Sequence, residues 1–377
     1  MKLFSVPSDF KKETINKLYE LNKKYTDCKV IETYGQVTIG NFINSGRVID
    51  TLPKADINQL EDYVKYSLER GIKFNYTLNA SCLGNHEFTE KGRNEILQLI
   101  DNLEQIGIED LTVTTPAIME LINANGKKFN IKTSAICEVM SPSKALFYKE
   151  LGAKRVVPDP DITRDFEKLK NIAQVFGDGV EIIINNMCLK NCAYKMFHYN
   201  HESHSCEGSN NSVKDYYFNR CSMQRAGKVR NLMRVNWIRP EDLKYYYAIG
   251  IRHYKIQGRQ NVCYGNLPKM VEAYFQEEYE GNLFNLITIF APYNSFNPYV
   301  DNKKLDGFIK PFVENSSFCK DICEKCKYCD TYMRKSMDIA KVEEINQKAL
   351  SFYSEYDKYS KFVKESKKEI SLKDIFL

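Results

Sequence analysis

Two patterns of apolar and polar residues alternate along the chain. Short runs in which apolar residues dominate, such as Val180–Met187, are typical of buried strands. Between these runs, apolar residues recur every three or four positions. In 56–71, for example, Leu60, Val64 and Leu68 lie on one side of a predicted helix. The chain is therefore predicted to alternate strands with amphipathic helices.

Eight such strand–helix units are predicted. The predicted strands are 29–35, 73–80, 110–115, 130–136, 154–159, 180–187, 232–237 and 253–257. The predicted helices are 56–71, 90–107, 116–126, 141–152, 164–177, 240–250 and 267–281. Alternation predicts a parallel sheet, and eight units predict an α/β fold of the (β/α)8 TIM-barrel type. A doubly wound open sheet is the alternative.

Two cysteine-rich segments interrupt this rhythm. The first lies at about 186–230, after the sixth predicted strand, and the second lies near the C-terminus. We predict a barrel over 1–310 that carries the first segment as an insertion. A metal-binding segment follows over 311–377, with an amphipathic helix at Met337–Phe352.

Composition narrows the class of protein. The chain has 377 residues, 43% of them hydrophobic and 27% charged, which is ordinary for a globular protein. A net charge of +5 does not identify a nucleic-acid binder, although it is compatible with a local basic patch. Pro7 and Asp9 interrupt the N-terminus, and no apolar run reaches membrane-spanning length. We expect a cytoplasmic protein, whose 12 cysteines are thiols for metal binding or catalysis.

In TIM barrels the chemistry takes place at the C-terminal ends of the strands. Polar residues and cysteines at the predicted ends are Tyr34, Asn79, Cys82, Thr115, Cys137, Glu138, Asp159, Asp161, Asn185, Asn186, Cys188, Asn236, Arg239, Gln257 and Arg259. For any single polar residue, the meeting of a strand with solvent is an equally good explanation. The cysteines have no such explanation.

The insertion contains Cys188-x3-Cys192-x13-Cys206-x14-Cys221. Thiolates with local spacing are ligands of zinc or of an iron–sulfur cluster, and the wide gaps favour a cluster. Three histidines, His198, His201 and His204, lie between the second and third cysteines. They are either a proton relay or polar residues on a solvated helix.

Several segments together resemble peptidase family U32. They are Glu181–Cys188 with Leu189–Lys195, Ile131–Ser134, Leu151–Val157, Trp237–Leu243 and Tyr254–Arg259. The family includes collagenase-like peptidases, proteins of oxygen-independent ubiquinone hydroxylation and RNA-hydroxylating enzymes. The resemblance implies a [4Fe-4S] cluster on Cys188, Cys192, Cys206 and Cys221. The spacing departs from the family's pattern, so Cys82 competes for one of the last two positions.

The densest cysteine run, Cys319-x3-Cys323-x2-Cys326-x2-Cys329, lies outside the predicted barrel. Its core resembles ferredoxin ligation. A second iron–sulfur cluster, a zinc ion and a redox-active set of thiols are the three interpretations. The sequence does not separate iron from zinc here.

These observations lead to a functional hypothesis. We expect an iron–sulfur oxidoreductase or hydroxylase that works without oxygen on a small ring compound or nucleobase. The predicted acid–base residues are His198, His204, Asp159 and Glu138, and the predicted substrate-binding residues are Arg239, Gln257, Arg259 and Asn79. Alternatives are a cluster-bearing subunit that needs a partner protein or an electron donor, and an RNA-modifying enzyme. A peptidase is disfavoured because the sequence has no H-E-x-x-H or G-x-S-x-G motif.

Overall fold

Parallel strands form the centre of the protein in a computed structural model that describes residues 1–40, 43, 45–204, 216–292 and 296–369. The strands of the central sheet are β1 (Lys2–Pro7), β2 (Cys28–Gly35), β3 (Lys73–Leu78), β4 (Asp110–Val113), β5 (Asn130–Thr133), β6 (Ala153–Arg155), β7 (Glu181–Ile183) and β10 (His253–Lys255). A separate antiparallel pair consists of β8 (Asn185–Leu189) and β9 (Val235–Trp237).

The central sheet closes on itself. Its eight strands lie in the order β6-β5-β4-β3-β2-β1-β10-β7, and every pair in the series is parallel. Val156, just after β6, forms a parallel bridge with Val180, just before β7, so the two ends of the series meet. The predicted (β/α)8 TIM-type barrel is therefore confirmed, and the open-sheet alternative is wrong.

Helices surround the barrel and continue past it. They are α1 (Lys12–Lys24), α2 (Ile57–Leu68), α3 (Glu90–Gln105), α4 (Pro116–Ala124), α5 (Pro142–Glu150), α6 (Phe166–Phe176), α7 (Lys195–Ser203), α8 (Tyr216–Gly227), α9 (Leu243–Ala248), α10 (Leu267–Gln276), α11 (Leu283–Ile287), α12 (Lys310–Glu314), α13 (Tyr328–Ser336), α14 (Ile339–Glu355) and α15 (Lys358–Glu369). Local signals fix several starts: Asp56 and Gln59 form a capping box at α2, and proline opens α4. Within the described residues, no helix combines the length and apolar character needed to cross a membrane.

Two of the predicted strands need correction. The first barrel strand is Lys2–Pro7, which the sequence analysis left unassigned. The first six predicted strands are therefore the second to the seventh strands of the barrel. The predicted strand 232–237 lies outside the barrel, because its β9 part pairs antiparallel with β8. The predicted strand Val180–Met187 breaks at Ile184 into β7 and β8. The insertion, with α7 and α8, therefore follows the seventh barrel strand rather than the sixth.

The interior of the barrel holds a group of four charged residues, which we call the interior charge network: Glu32, Lys132, Arg155 and Glu181. Lys132 Nζ lies 2.9 Å from Glu181 Oε2 and also contacts Glu32, and Arg155 reaches the two carboxylates at 3.1 and 3.3 Å. Burial opposes ionisation of Glu32, but Lys132 and Arg155 outweigh it and lower the pKa of Glu32. Two carboxylates and two cations thus balance each other in the core.

The C-terminal segment packs on the insertion and on the barrel. Phe308, Phe312 and Tyr328 belong to one aromatic cluster, and α14 lies against α8 through Ala226, Ala349 and Tyr353. The predicted helix Met337–Phe352 is confirmed as α14. The division into 1–310 and 311–377 stays a prediction.

Candidate functional site

The C-terminal ends of the barrel strands surround a small cavity of about 60 Å³, which we call the mouth cavity. Residues from β2, β3, β7, β8 and β10, from the loops after β2, β3, β5 and β10, and Tyr199 of α7 line it. Its charged lining residues within the described chain are three cations, Arg47, Lys255 and Arg259. A cavity with this lining is suited to an anionic ligand.

Arg259 is buried in the wall of this cavity. Its guanidinium donates to Gln36 Oε1 at 2.9 Å and to Thr77 Oγ1 at 2.8 Å, and more weakly to Asn79 Oδ1 at 3.4 Å. These acceptors are neutral, so they orient the guanidinium without cancelling its charge. Burial, helped by the charge of Arg47, lowers the pKa of Arg259 to about 10. The structure thus brings Arg259 and Asn79, two predicted substrate-binding residues, to the same place.

Lys255, at the end of β10, is a mouth residue that the sequence analysis missed. Its Nζ lies 4.2 Å from the centroid of the Tyr34 ring. Burial, with the positive charge of Lys132, lowers the pKa of Lys255 to about 7. The signal was present in the sequence, because Lys255 and Gln257 alternate along the predicted strand 253–257 and therefore lie on one face.

Gln257, the third predicted substrate-binding residue that reaches the mouth cavity, is fixed by Asn185. Its backbone N–H donates to Asn185 Oδ1, and its carbonyl accepts from Asn185 Nδ2, both at 2.8 Å. Arg239 has a different position. It is buried against Asp306 at 2.6 Å and Asp242 at 3.4 Å, and it does not line the mouth cavity.

The predicted acid–base carboxylates lie around one lysine. Lys195 Nζ is 2.8 Å from Asp159, 2.7 Å from Asp161 and 3.8 Å from Glu138. Burial alone would disfavour the ammonium, but the two aspartates outweigh it and raise the pKa of Lys195. Because Lys195 begins α7, this group fastens the insertion to the barrel. The acid–base role of Asp159 and Glu138 stays a prediction.

His198, on α7, is connected to the mouth cavity through Glu202. His198 Nε2 lies 3.1 Å from Glu202 Oε1, and Glu202 Oε2 accepts from Arg47 at 2.9 Å. His204 follows α7, and its backbone N–H donates to Asn200 O. His198 is therefore the predicted histidine with a defined hydrogen-bonded connection to a mouth residue.

Three of the predicted barrel ligands converge beside the mouth cavity. Cys188 lies on β8, Cys192 on the following loop and Cys221 on α8. Burial and then the negative charges of the Cys221 and Cys192 thiolates raise the pKa of Cys188 to about 12, whereas Arg47 and Arg225 lower it. The three thiols thus lie within range of one another's charge. Cys206 lies outside the described residues.

Cys82 is half-buried in the loop after β3. The neighbouring Ser81 hydroxyl donates to Asn200 Oδ1 at 2.7 Å, so this loop lies against α7. The described His, Cys, Asp and Glu side chains do not already form a group of three or more around a single ion position.

Comparison with known proteins gives a family. The model of peptidase family U32 matches residues 51–276. The chain belongs to family U32. An uncharacterized protease of Methanocaldococcus jannaschii is 31% identical over 344 residues, which cover 89% of this chain and 99% of that relative.

Solved structures are more distant. The structure of a U32 peptidase has 18% identity and a TM-score of 0.46, over 56% of this chain and 83% of that one. An N-acetylmannosamine-6-phosphate 2-epimerase from Clostridium perfringens has 12% identity and a TM-score of 0.34, over 73% and 92%. Both TM-scores are below 0.5, so the family assignment depends on the sequence matches.

The U32 match separates the two cysteine sets. Cys188, Cys192 and Cys221 lie inside the matched range, as do Lys255 and Arg259. The four cysteines from Cys319 to Cys329 lie beyond it. The barrel cysteines and most of the mouth cavity therefore lie in the U32 region, whereas Tyr34, Arg47 and the C-terminal cysteine set lie in parts of the chain that the family model does not cover.

Proposed function

We propose that this U32 protein is an iron–sulfur enzyme that modifies an anionic ring compound at the barrel mouth. The observation that carries the proposal is the position of Arg47. It lines the cation-lined mouth cavity, and its charge also acts on Cys188, where three thiols converge. A substrate in the cavity would therefore lie beside the cysteines.

Cys188, Cys192 and Cys221 would hold the cluster, with Cys206 or Cys82 as the fourth ligand. Cationic surroundings fit such a group, because a cluster on four thiolates is anionic and Arg47 and Arg225 face Cys188. The cluster would supply one-electron redox or Lewis-acid chemistry at the mouth.

The chain's own groups would bind the substrate and move a proton. Arg259 and Arg47 attract an anionic group, and the fixed acceptors around Arg259 set the direction of its N–H groups. Lys255 Nζ is the group to accept a proton from the ring, because its amine is partly neutral near pH 7. The Tyr34 ring lies beside this amine, and both side chains are buried.

Anaerobic purification with iron and sulfide analysis tests the cofactor. Cys188→Ser and Cys192→Ser should lose the charge-transfer absorption of the barrel cluster, whereas Cys263→Ser, at a residue that lines a separate cavity beside α1, should keep it. Binding of anionic ring compounds, including nucleotides, is then measured by thermal shift, and mass spectrometry follows the product under reductant. A Cys188→Ser protein that keeps all of its iron would refute the ligand assignment.

Peptide hydrolysis is the second candidate, because the family name and the name of the Methanocaldococcus relative both point to it. The same preparations separate the two functions. A peptidase should cleave a fluorescent gelatin substrate equally well in wild type and in Cys188→Ser after the cluster is lost. The iron–sulfur enzyme that we propose should cleave neither peptide nor gelatin, and it should lose its activity with the cluster.

A further inference from the structure

The C-terminal segment contains a cavity of its own. Cys319, Cys323, Cys326 and Cys329, which we call the C-terminal cysteine site, all line a space of about 260 Å³. The aromatic side chains of Phe312 and Phe318 form its apolar wall. Four cysteines that line one cavity can hold a zinc ion or an iron–sulfur cluster, and the C-x2-C-x2-C core of this run has the spacing of ferredoxin ligands.

The four thiols influence one another. Burial is the first cause that raises the pKa of Cys329 to about 11; Arg164 opposes it, and the charges of the other three cysteines add to it. Cys319, Cys323 and Cys326 therefore lie within electrostatic range of Cys329, around the cavity that all four residues line. Thiolates this close are stable together only when a metal or nearby cations compensate them.

Cations do lie around the site. Lys190 Nζ is 3.9 Å from Cys319 Sγ, and Arg230 donates to the carbonyl of Cys323 at 2.9 Å. Each cation also has an acidic partner, Asp321 for Lys190 and Asp330 for Arg230, which fixes its position. Cations and N–H donors around the ligand sulfurs stabilise an anionic cluster and tune its potential.

The loops that carry the two cysteine sets are in direct contact. Lys190 lies between Cys188 and Cys192, and its Nζ is 2.8 Å from Asp321 Oδ1. Asn191 reaches the same carboxylate at 3.4 Å. Asp321 itself lies between Cys319 and Cys323. The loop that carries the barrel ligands therefore contacts the loop that carries the C-terminal ligands.

We propose that the C-terminal cysteine site holds a second iron–sulfur cluster, which passes single electrons from an external donor protein to the barrel cluster. Cys319 and Cys326 are exposed, so a donor protein has access to this side. The donor is oxidised by one electron and the second cluster is reduced. The second cluster is then reoxidised as the barrel cluster is reduced, and no bond is made or broken. The relay step depends on the proposed function, but binding of the second cluster does not.

Metal analysis tests the site. In the double variant Cys323→Ser/Cys326→Ser, iron and sulfide should fall to about half of the wild-type content, if each site holds one [4Fe-4S] cluster. Cys263→Ser is the matched control and should keep the full content. Unchanged iron, or the loss of stoichiometric zinc rather than of iron, would overturn the second cluster. Circular dichroism checks that the variant is folded.

The complementary variant separates the two proposals. Cys188→Ser/Cys192→Ser should lose the barrel cluster and keep the C-terminal one, identified by its electron paramagnetic resonance signal after reduction. If wild type and this variant carry the same single cluster, and the C-terminal double variant carries none, the second site is supported and the barrel assignment fails.

Electron transfer is measured by stopped flow. In the C-terminal double variant, reduced bacterial ferredoxin should reduce the barrel cluster at least about tenfold more slowly than in wild type, in the range of effects seen when the surroundings of metal centres are altered. Dithionite, which is small enough to reach either site, should reduce it at the wild-type rate. Equal rates with ferredoxin would overturn the relay.

Discussion

Buried cations have different partners in two neighbouring layers of the barrel. In the interior charge network, Lys132 and Arg155 are balanced by Glu32 and Glu181. In the mouth cavity, the described partners of Lys255 and Arg259 are an aromatic ring and neutral oxygens. The layers are adjacent, because Glu32, Lys132 and Glu181 each precede a mouth residue by two positions, namely Tyr34, Ser134 and Ile183.

The difference separates structure from function. A buried charge with partners is stable as it is, whereas a buried charge without an opposite charge costs free energy until a ligand supplies one. The interior charge network therefore belongs to the folded scaffold. At the mouth, the described partners of Lys255 and Arg259 do not include a carboxylate, and buried positive charge of this kind is expected of an anion-binding site.

The largest effect should follow from Lys132→Met. The substitution leaves two carboxylates facing each other with only Arg155 between them, and removal of one partner from a buried pair costs about 3–5 kcal/mol. Urea unfolding at neutral pH measures the change in the free energy of unfolding. A loss of stability below about 1 kcal/mol would mean that water screens the charges of the network.

Lys255→Met is the corresponding substitution in the mouth layer. At low pH it should raise the free energy of unfolding, whereas Lys132→Met lowers it. The folded pKa of Lys255 is lowered from 10.5 to about 7, so the unfolded chain binds more protons between these values. Wild-type stability should therefore rise with pH across this window, by up to about 1.4 kcal/mol per pH unit. Lys255→Met lacks this dependence.

The comparison with wild type sets the test for Lys255. The methionine variant should be the more stable protein at pH 6, and its advantage should vanish by about pH 10. Parallel unfolding curves at the two pH values are the measurement. A constant difference between the proteins would show that Lys255 keeps its charge in the fold.

Arg259→Met should change binding more than stability. The substitution removes an uncompensated charge, which offsets the hydrogen bonds lost to Gln36 and Thr77. A charged hydrogen bond to a ligand contributes about 1.5–3 kcal/mol, so affinity for an anionic ring compound should fall by roughly 10- to 100-fold. Calorimetric titration measures it, and Arg252→Met, just before β10 and outside the mouth cavity, is the matched control. Equal losses in both variants would contradict the role of Arg259.

Local patterns predicted the barrel, because apolar residues recur with a period of two in strands and of 3.6 in helices. They missed β1, since it covers only Lys2–Pro7 and polar residues lie on both of its faces: Ser5 faces the charged interior, and Lys2 pairs with Glu277. They also missed the interior charge network, because Glu32 and Lys132 are 100 positions apart in sequence. Cysteine spacing predicted both cysteine sets but not their contact through Lys190, which only the packing of the C-terminal segment creates.

The smallest and sharpest test of the comparison is Glu202→Gln. Arg47 is the mouth cation that does have a carboxylate partner, at 2.9 Å, and glutamine keeps the shape and the hydrogen bond while removing the charge. Arg47 should then resemble Arg259. A partly exposed pair is worth up to about 1 kcal/mol, so affinity for the anion should rise by roughly three- to fivefold. Calorimetric titration of Glu202→Gln, run together with Arg259→Met, shows whether the affinity for the anion rises or falls. An affinity that falls instead would mean that Glu202 contacts the ligand directly, and the mouth would have to be described as a mixed-charge site rather than as a cationic one.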